Sequence, residues 1–207
     1  SYHRLIGDHH RSIEFGMRAL QINGDDVELN TVTRYYMGLA YHHLGQYNQS
    51  IAFLREALSV TQQERFKYER FGTANILSVI CRIWLAQCSA QLGHFENGKT
   101  TAEEAMIIAK QADHASSLAF AHISLGFLYL LQGNIDAAIR ALETSRKICD
   151  ANNIQVLMPH INSNLAYAYA LAGRVDDAIP LMEKVDEQSK LISGRKAAWA
   201  LRLTWLG

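Results

Sequence analysis

Four segments of this chain can be laid over one another: YYMGLAYHHLGQYNQSIAFLREAL (35–58), IWLAQCSAQLGHFENGKTTAEEAM (83–106), ISLGFLYLLQGNIDAAIRALETSR (123–146) and SNLAYAYALAGRVDDAIPLMEKVD (163–186). They align on Gly45, Gly93, Gly133 and Gly173, and a partial copy, LIGDHHRSIEFGMRAL, places Gly7 in the same position. A unit of about forty residues therefore accounts for nearly the whole sequence. A unit that short cannot bury an apolar face alone, so neighbouring copies must stack on one another.

The spacing inside the unit specifies a helical hairpin. The glycine ends a first helix, because a residue free to adopt positive φ satisfies the last carbonyls at little steric cost. Seven residues earlier stands a small residue, Gly38, Ala86, Gly126 or Ala166, which lets two helices approach closely. Five residues after the glycine another small residue recurs: Ser50, Gly98, Ala138, Ala178. Tyr47, Phe95, Ile135 and Val175 open the second helix and pack back onto the first. Only Pro159 and Pro180 could interrupt helices, and strand-like alternation is hard to find, so the chain is all-α.

Bulk chemistry narrows the function classes. Twenty basic and twenty acidic residues cancel, which argues against nucleic acid or an acidic membrane as partner. The longest apolar run, SLAFAHISLGFLYLL (117–131), is too short and too interrupted to span a bilayer. Cys81, Cys88 and Cys149 are an odd number without C-x-x-C spacing, as expected of buried thiols in a reducing cytoplasm.

The L/M-G/A-x-x-Y motif, the turn glycine, and the aromatic and small residues after it resemble the tetratricopeptide repeat (TPR). The match is clearest in 35–58, 123–146 and 163–186; at 83–106, Ser89 replaces the expected aromatic. Two departures stand out. Arg34, Arg82, His122 and Asn162 occupy the pattern's large first position, and its closing proline is missing. The lengthened unit resembles the TPR regions of bacterial multidomain signalling proteins of nucleotide-cyclase, STAND-ATPase or transcription-activator type. The resemblance implies a right-handed superhelical α-solenoid of antiparallel helix pairs. It would form a single array over 1–207, with units at about 1–24, 28–65, 68–112, 114–152 and 154–190 and a partial helix at 194–207. Both ends would fall inside a unit, as in a piece of a longer array, leaving open faces through which copies could self-associate. Trp199, Leu203 and Leu206 would lie on one of them.

One motif competes with this picture. GHFENGKTT (93–101) satisfies G-x-x-x-x-G-K-[ST], the pattern of a phosphate-cradling loop. That loop needs a preceding buried strand, yet ICRIWLAQCSAQL before Gly93 has helical periodicity, and Lys99 would fall inside the next helix. The repeat already demands Gly93 as turn residue and Gly98 as packing residue. A decoy is expected, with no nucleotide cofactor.

Nine histidines raise the question of metal. Adjacent pairs at 9–10 and 42–43 point about 100° apart on a helix and do not share one ion from one face. No H-E-x-x-H or i,i+4 histidine pair occurs. Packing explains Cys88, so neither a Cys-His nor a Ser-His-Asp arrangement is expected, and no catalytic residue is assigned.

What remains is the wall that the TPR resemblance assigns to binding, where first helices line a concave groove at spacing i, i+4, i+7. Carried over, these positions are Tyr35, Leu39 and His42; Ile83, Gln87 and Ala90; Ile123, Phe127 and Leu130; and Ser163, Tyr167 and Ala170. None is Lys or Asn, so the family's clamp for a terminal carboxylate is absent. A mainly apolar wall with Tyr and His handles suits an apolar peptide, an amphipathic helix or another domain of the parent chain. The expectation is a non-catalytic, cytoplasmic interaction and regulatory module, with a peptide or small-ligand sensor as the alternative. An interval of 48 residues between Gly45 and Gly93 marks extra sequence around VTQQERFKYERFGTAN (60–75), expected to lengthen the flanking helices. Phe66, Tyr68 and Phe71 in that segment are candidates for a local contact site.

Overall fold

The computed structural model describes residues 8–191. The expected partial helix at 194–207, with Trp199, Leu203 and Leu206, lies outside the described residues, as does Gly7. Within them the chain forms helices α1 (His9–Ile22), α2 (Val27–His43), α3 (Tyr47–Thr61), α4 (Leu77–Gln91), α5 (Phe95–Gln111), α6 (Ala115–Leu131), α7 (Ile135–Ala151), α8 (Met158–Leu171) and α9 (Val175–Leu191). A single 3-10 turn covers Glu64–Phe66, and no strand occurs among the described residues.

Each turn between the two helices of a hairpin is built the same way. At the turn after α4, the Gly93 amide donates to Ala90 O at 3.0 Å and the His94 amide to Ser89 O at 2.8 Å. This reciprocal pair satisfies the last carbonyls and requires the glycine's φ of 78°. Gly45, Gly133 and Gly173 repeat it with φ of 73° to 75°. The turns leading into the next hairpin use other residues in the same left-handed region: Gly24, Asp113 and Asn153. Asp and Asn tolerate that region better than most side chains, so two of these turns carry no glycine signal.

The helices divide into two compact units, Ser1–Ser117 and Leu118–Gly207. In the first, α4 is buried almost all round: Leu77, Val79, Ile80, Cys81, Ile83, Ala86 and Cys88 are each at most 2% exposed. Close approach is visible at Gly38, where an added Cβ would lie 2.7 Å from Leu54 Cγ. The second unit repeats this at Gly126 against Leu142, at 2.6 Å. Its core joins Ile139, Leu142, Leu165, Tyr169, Ala178 and Leu181. A neighbouring cluster joins Ala119, Ile123, Cys149, Leu157, Met158 and Ile161.

The segment after α3 departs from expectation. It does not lengthen the flanking helices: α3 ends at Thr61 and α4 begins only at Leu77. The residues between fold into a compact loop. Phe71 and Gly72 both take positive φ, 47° and 72°, which no helix accommodates. The loop is tied down by the Leu77 amide to Glu69 O (3.0 Å) and by Ser78 Oγ to Lys67 O (2.7 Å).

The unusual residues at the first repeat position are explained in the first unit. Arg34 donates from Nε to Glu56 at 2.8 Å and from Nη1 to Asn30 O at 3.2 Å. Arg82 does the same with Glu104 at 3.1 Å and Ser78 O at 3.0 Å. In each of these two hairpins an arginine straps its own helix to the partner helix, using one donor for a carboxylate across the hairpin and another for a carbonyl one turn back.

Candidate functional site

The structure divides the expected groove residues into two classes. In the first unit Tyr35, Leu39 and His42 on α2 are 6%, 3% and 7% exposed, and Ile83 and Ala90 on α4 are buried; Gln87 is half-buried. In the second unit Ile123 is buried against Ile161 and Cys149. Phe127 and Leu130 on α6 are half-buried, and on α8 Ser163 is buried while Tyr167 is 44% exposed and Ala170 is open. Phe127 and Tyr167 stand at the same repeat position, six before the turn glycine. Leu39 and Gln87 hold that position in the first unit, Leu39 sealed and Gln87 half-buried.

His42 shows how the expected wall residues on α2 come to be sealed. Its Nδ1 lies 3.3 Å from Cys88 Sγ, and Cys88 in turn donates to Ser50 Oγ at 3.2 Å. The Trp84 ring packs edge-on against His42 at 4.9 Å and against His43 at 5.7 Å, and Tyr47 meets His42 at 5.5 Å. Burial pushes the His42 pKa down to about 4 and the Cys88 thiol up to about 11. Both groups are therefore neutral near pH 7. A neutral imidazole beside an un-ionised thiol is a packed hydrogen-bonded pair, and with Cys88 0% exposed no substrate reaches the sulfur. Sequence spacing predicts no Cys-His arrangement here. The structure does bring the two together from α2 and α4, which lie 46 residues apart at this contact, too far for local spacing to reveal.

His9 stacks on His43 with ring centroids 4.9 Å apart, a parallel packing unlike the convergent geometry of metal ligands. Among the described residues no cluster of three or more His, Cys, Asp or Glu side chains is placed to hold a metal ion. At the phosphate-loop motif, α5 begins at Phe95, so Gly98 and Lys99 are both helical. The Gly98 amide donates to His94 O at 3.0 Å within the helix and is not available to a phosphate. In the loop after α3, Arg65 covers the Phe66 ring at 4.3 Å, and Phe66 meets Phe71 edge-on at 5.3 Å. Tyr68 remains 45% exposed, with its hydroxyl 3.4 Å from Gln111 Oε1. Phe66 and Phe71 thus pack within the loop, leaving Tyr68 as its most outward aromatic.

Repeated hairpins, each closed by a left-handed glycine and packed through small residues, find their counterpart among known proteins. Models of the tetratricopeptide repeat match residues 33–64, 119–144 and 159–184. Those three segments are tetratricopeptide repeats. Among curated proteins it is 24% identical over 192 residues to the transcriptional activator NprA of Geobacillus stearothermophilus, covering 88% of this chain and 44% of that one. Among solved structures it is similar to a Rap protein complexed with competence and sporulation factor, with TM-score 0.79 and 19% identity, over 99% of this chain and 55% of that one. Aspartyl phosphate phosphatase F from Bacillus subtilis gives TM-score 0.67 at 15% identity, over 81% and 42% of the two chains. A thermophilic TPR protein of Thermus thermophilus gives 0.62 at 23%, over 94% and 91%. The chain thus spans less than half the length of NprA and about half that of the Rap protein. These likenesses establish the TPR solenoid fold. No described helix of this TPR chain is long and apolar enough to cross a membrane.

Proposed function

We propose that this chain is a regulatory interaction module that binds a protein or peptide, and that the first helices of its second unit carry the contact. The observation behind this is the contrast at one repeat position. In the first unit Leu39 is sealed in the core and Gln87 is a half-buried amide, whereas in the second Phe127 is a half-buried aromatic and Tyr167 is open. Aromatic side chains at a surface give much contact area for little conformational entropy, and the tyrosine hydroxyl adds a directional hydrogen bond. Leu130 widens the apolar strip on α6. A strip of this kind suits an amphipathic helix or an extended apolar segment.

The parent protein is read as a bacterial cytoplasmic signalling protein in which the TPR array senses a partner and passes the signal to another domain. Support comes from the likeness to a transcriptional activator and to a Rap protein crystallised with a factor. A cyclase- or STAND-ATPase-type parent rests on the lengthened repeat alone. Under this reading the module acts by binding and carries no catalytic group of its own.

The test is selection of binders from a displayed library of apolar and amphipathic peptides, followed by titration of the best one. Tyr167→Ala and Phe127→Ala are expected to weaken it at least tenfold with the helical content unchanged. Binders indifferent to both substitutions would refute the assignment.

A further inference from the structure

Arg34 and Arg82 occupy the same repeat position in successive hairpins, but their surroundings differ. Arg34 opens onto a cleft of about 510 Å³ between the start of α2 and the end of α3. Val27, Thr31 and Val60 form its apolar wall, and Asn30, Arg34 and Ser59 supply polar groups. In the next hairpin the same positions, 48 residues on, include Ser78, Arg82, Ile107 and Ile108. There the long loop after α3 spans the mouth. Ser78 Oγ donates to Lys67 O at 2.7 Å, and the Tyr68 hydroxyl lies 3.4 Å from Gln111 Oε1 at the end of α5. Lys67 and Tyr68 thus bridge from the first helix of that hairpin to the second. Beneath them the Arg82 side chain is 9% exposed against 32% for Arg34, and Ile108 is buried where Val60 is half-buried.

The hairpin of α2 and α3 has no such loop to lay over its own cleft. Only residues 23–26 connect α1 to α2, and they are committed to the turn. Asn30 Nδ2 donates to Gly24 O at 2.8 Å, and Asp26 Oδ1 accepts from the Leu29 amide at 2.9 Å. Two groups at the cleft stay available. Arg34 Nη2 makes no hydrogen bond among the described residues, and Asp25 on the rim makes no ion pair among them. The second hairpin therefore shows what chemistry fills this kind of cleft, and the first holds the same cleft open.

We propose that the Arg34 cleft receives an extended, non-helical segment of a partner protein, held as Lys67 and Tyr68 are held in the next hairpin. An aromatic side chain of that segment lies on Val27 and Val60, and one of its backbone carbonyls accepts from Arg34 Nη2. A cation beside the aromatic, as Lys67 stands beside Tyr68, meets Asp25. A helical partner is disfavoured because its carbonyls are already bonded within the helix. This contact belongs to the first unit, whereas Phe127 and Tyr167 belong to the second, so the two are tested independently.

The test titrates a fluorescein-labelled peptide that copies the loop, QQERFKYERFGT (62–73), into the full chain and follows fluorescence polarisation. Saturable binding is expected. Arg34→Ala, or Ser59→Trp at an exposed rim position, should weaken it at least fivefold, and Tyr167→Ala should leave it unchanged. A peptide carrying Tyr68→Ala should also bind at least fivefold more weakly. A further peptide, with benzoylphenylalanine in place of Tyr68, should crosslink to Val27, Ser59 or Val60 of the unaltered chain, a readout that depends on no variant folding. Absence of saturation up to about 1 mM would overturn the proposal, as would binding indifferent to both Arg34→Ala and Ser59→Trp. Crosslinks at Ile107 or Ile108 would overturn it by showing exchange with the chain's own loop, and crosslinks at Phe127 or Tyr167 by placing the peptide on the second unit.

Discussion

His42 Nδ1 lies 3.3 Å from Cys88 Sγ, joining two successive hairpins through a pair of buried neutral groups. The burial of His42 makes the first unit acid-sensitive. The His42 pKa falls from 6.5 to about 4 on folding, so the unfolded chain binds a proton that the folded chain refuses. Stability from this residue is complete above pH 6.5 and is lost as pH falls toward 4. The slope approaches about 1.4 kcal/mol per pH unit within that window. Urea midpoints at pH 7.5, 6 and 5 should decline in that order, and His42→Gln should flatten the decline. An unchanged slope in the variant would remove His42 from the explanation.

Gly126 faces a side chain that cannot retreat. A Cβ there would sit 2.6 Å from Leu142 Cγ, and Leu142 is fully buried. Gly126→Ala gains about 1 kcal/mol of helix propensity but overpacks the core by about 1–3 kcal/mol. A net loss of up to about 2 kcal/mol is expected in chemical denaturation. Combining it with Leu142→Ala should cost less than the sum of the two single changes, because the cavity admits the methyl.

The two arginine straps should differ in strength. The Arg82 side chain is 9% exposed and that of Arg34 is 32% exposed, although their partners and geometry correspond. Arg82→Ala leaves the Ser78 carbonyl without its side-chain donor and removes buried stem contacts, for about 1–3 kcal/mol. Arg34→Ala removes a solvated pair and should cost under about 1 kcal/mol. Thermal or urea unfolding of the two variants side by side checks the order.

The G-x-x-x-x-G-K-T sequence should be inert toward nucleotides. With Lys99 inside α5 and the Gly98 amide already bonded to His94 O, calorimetric titration with ATP and magnesium should show no saturable heat. Lys99→Ala should change stability by less than about 0.5 kcal/mol. A Lys99-dependent affinity would mean that the start of α5 opens in solution.

Much of this protein was legible in its sequence because the repeat carries redundant information. Gly45, Gly93, Gly133 and Gly173 mark turns that only a residue free to take positive φ serves well, so their spacing located α2 to α9 in pairs. Gly38 and Gly126 marked close helix contacts for the same local reason, the absence of a Cβ. Where another residue does glycine's work, as Asp113 and Asn153 do, the turn left a fainter trace. The loop at 62–76 is not legible in the same way, because its charged and aromatic residues suit a helix end as well as a loop. Only its contacts to Leu77 and Ser78 fix the outcome.

The sequence by itself determined the unit, its two helices and the small residues through which they meet, since each depends on neighbours a few positions apart. Tertiary structure decided which of the residues expected to line a groove face solvent and which are sealed. Tyr35, Leu39, Phe127 and Tyr167 share one periodic pattern, but their exposure depends on what the next hairpin lays over them. It also decided the company of His42, which meets Cys88 and Trp84 only because α4 crosses α2 more than forty residues later. Periodicity assigns a residue to a helix face; burial comes from the packing of distant segments, which the local pattern does not encode.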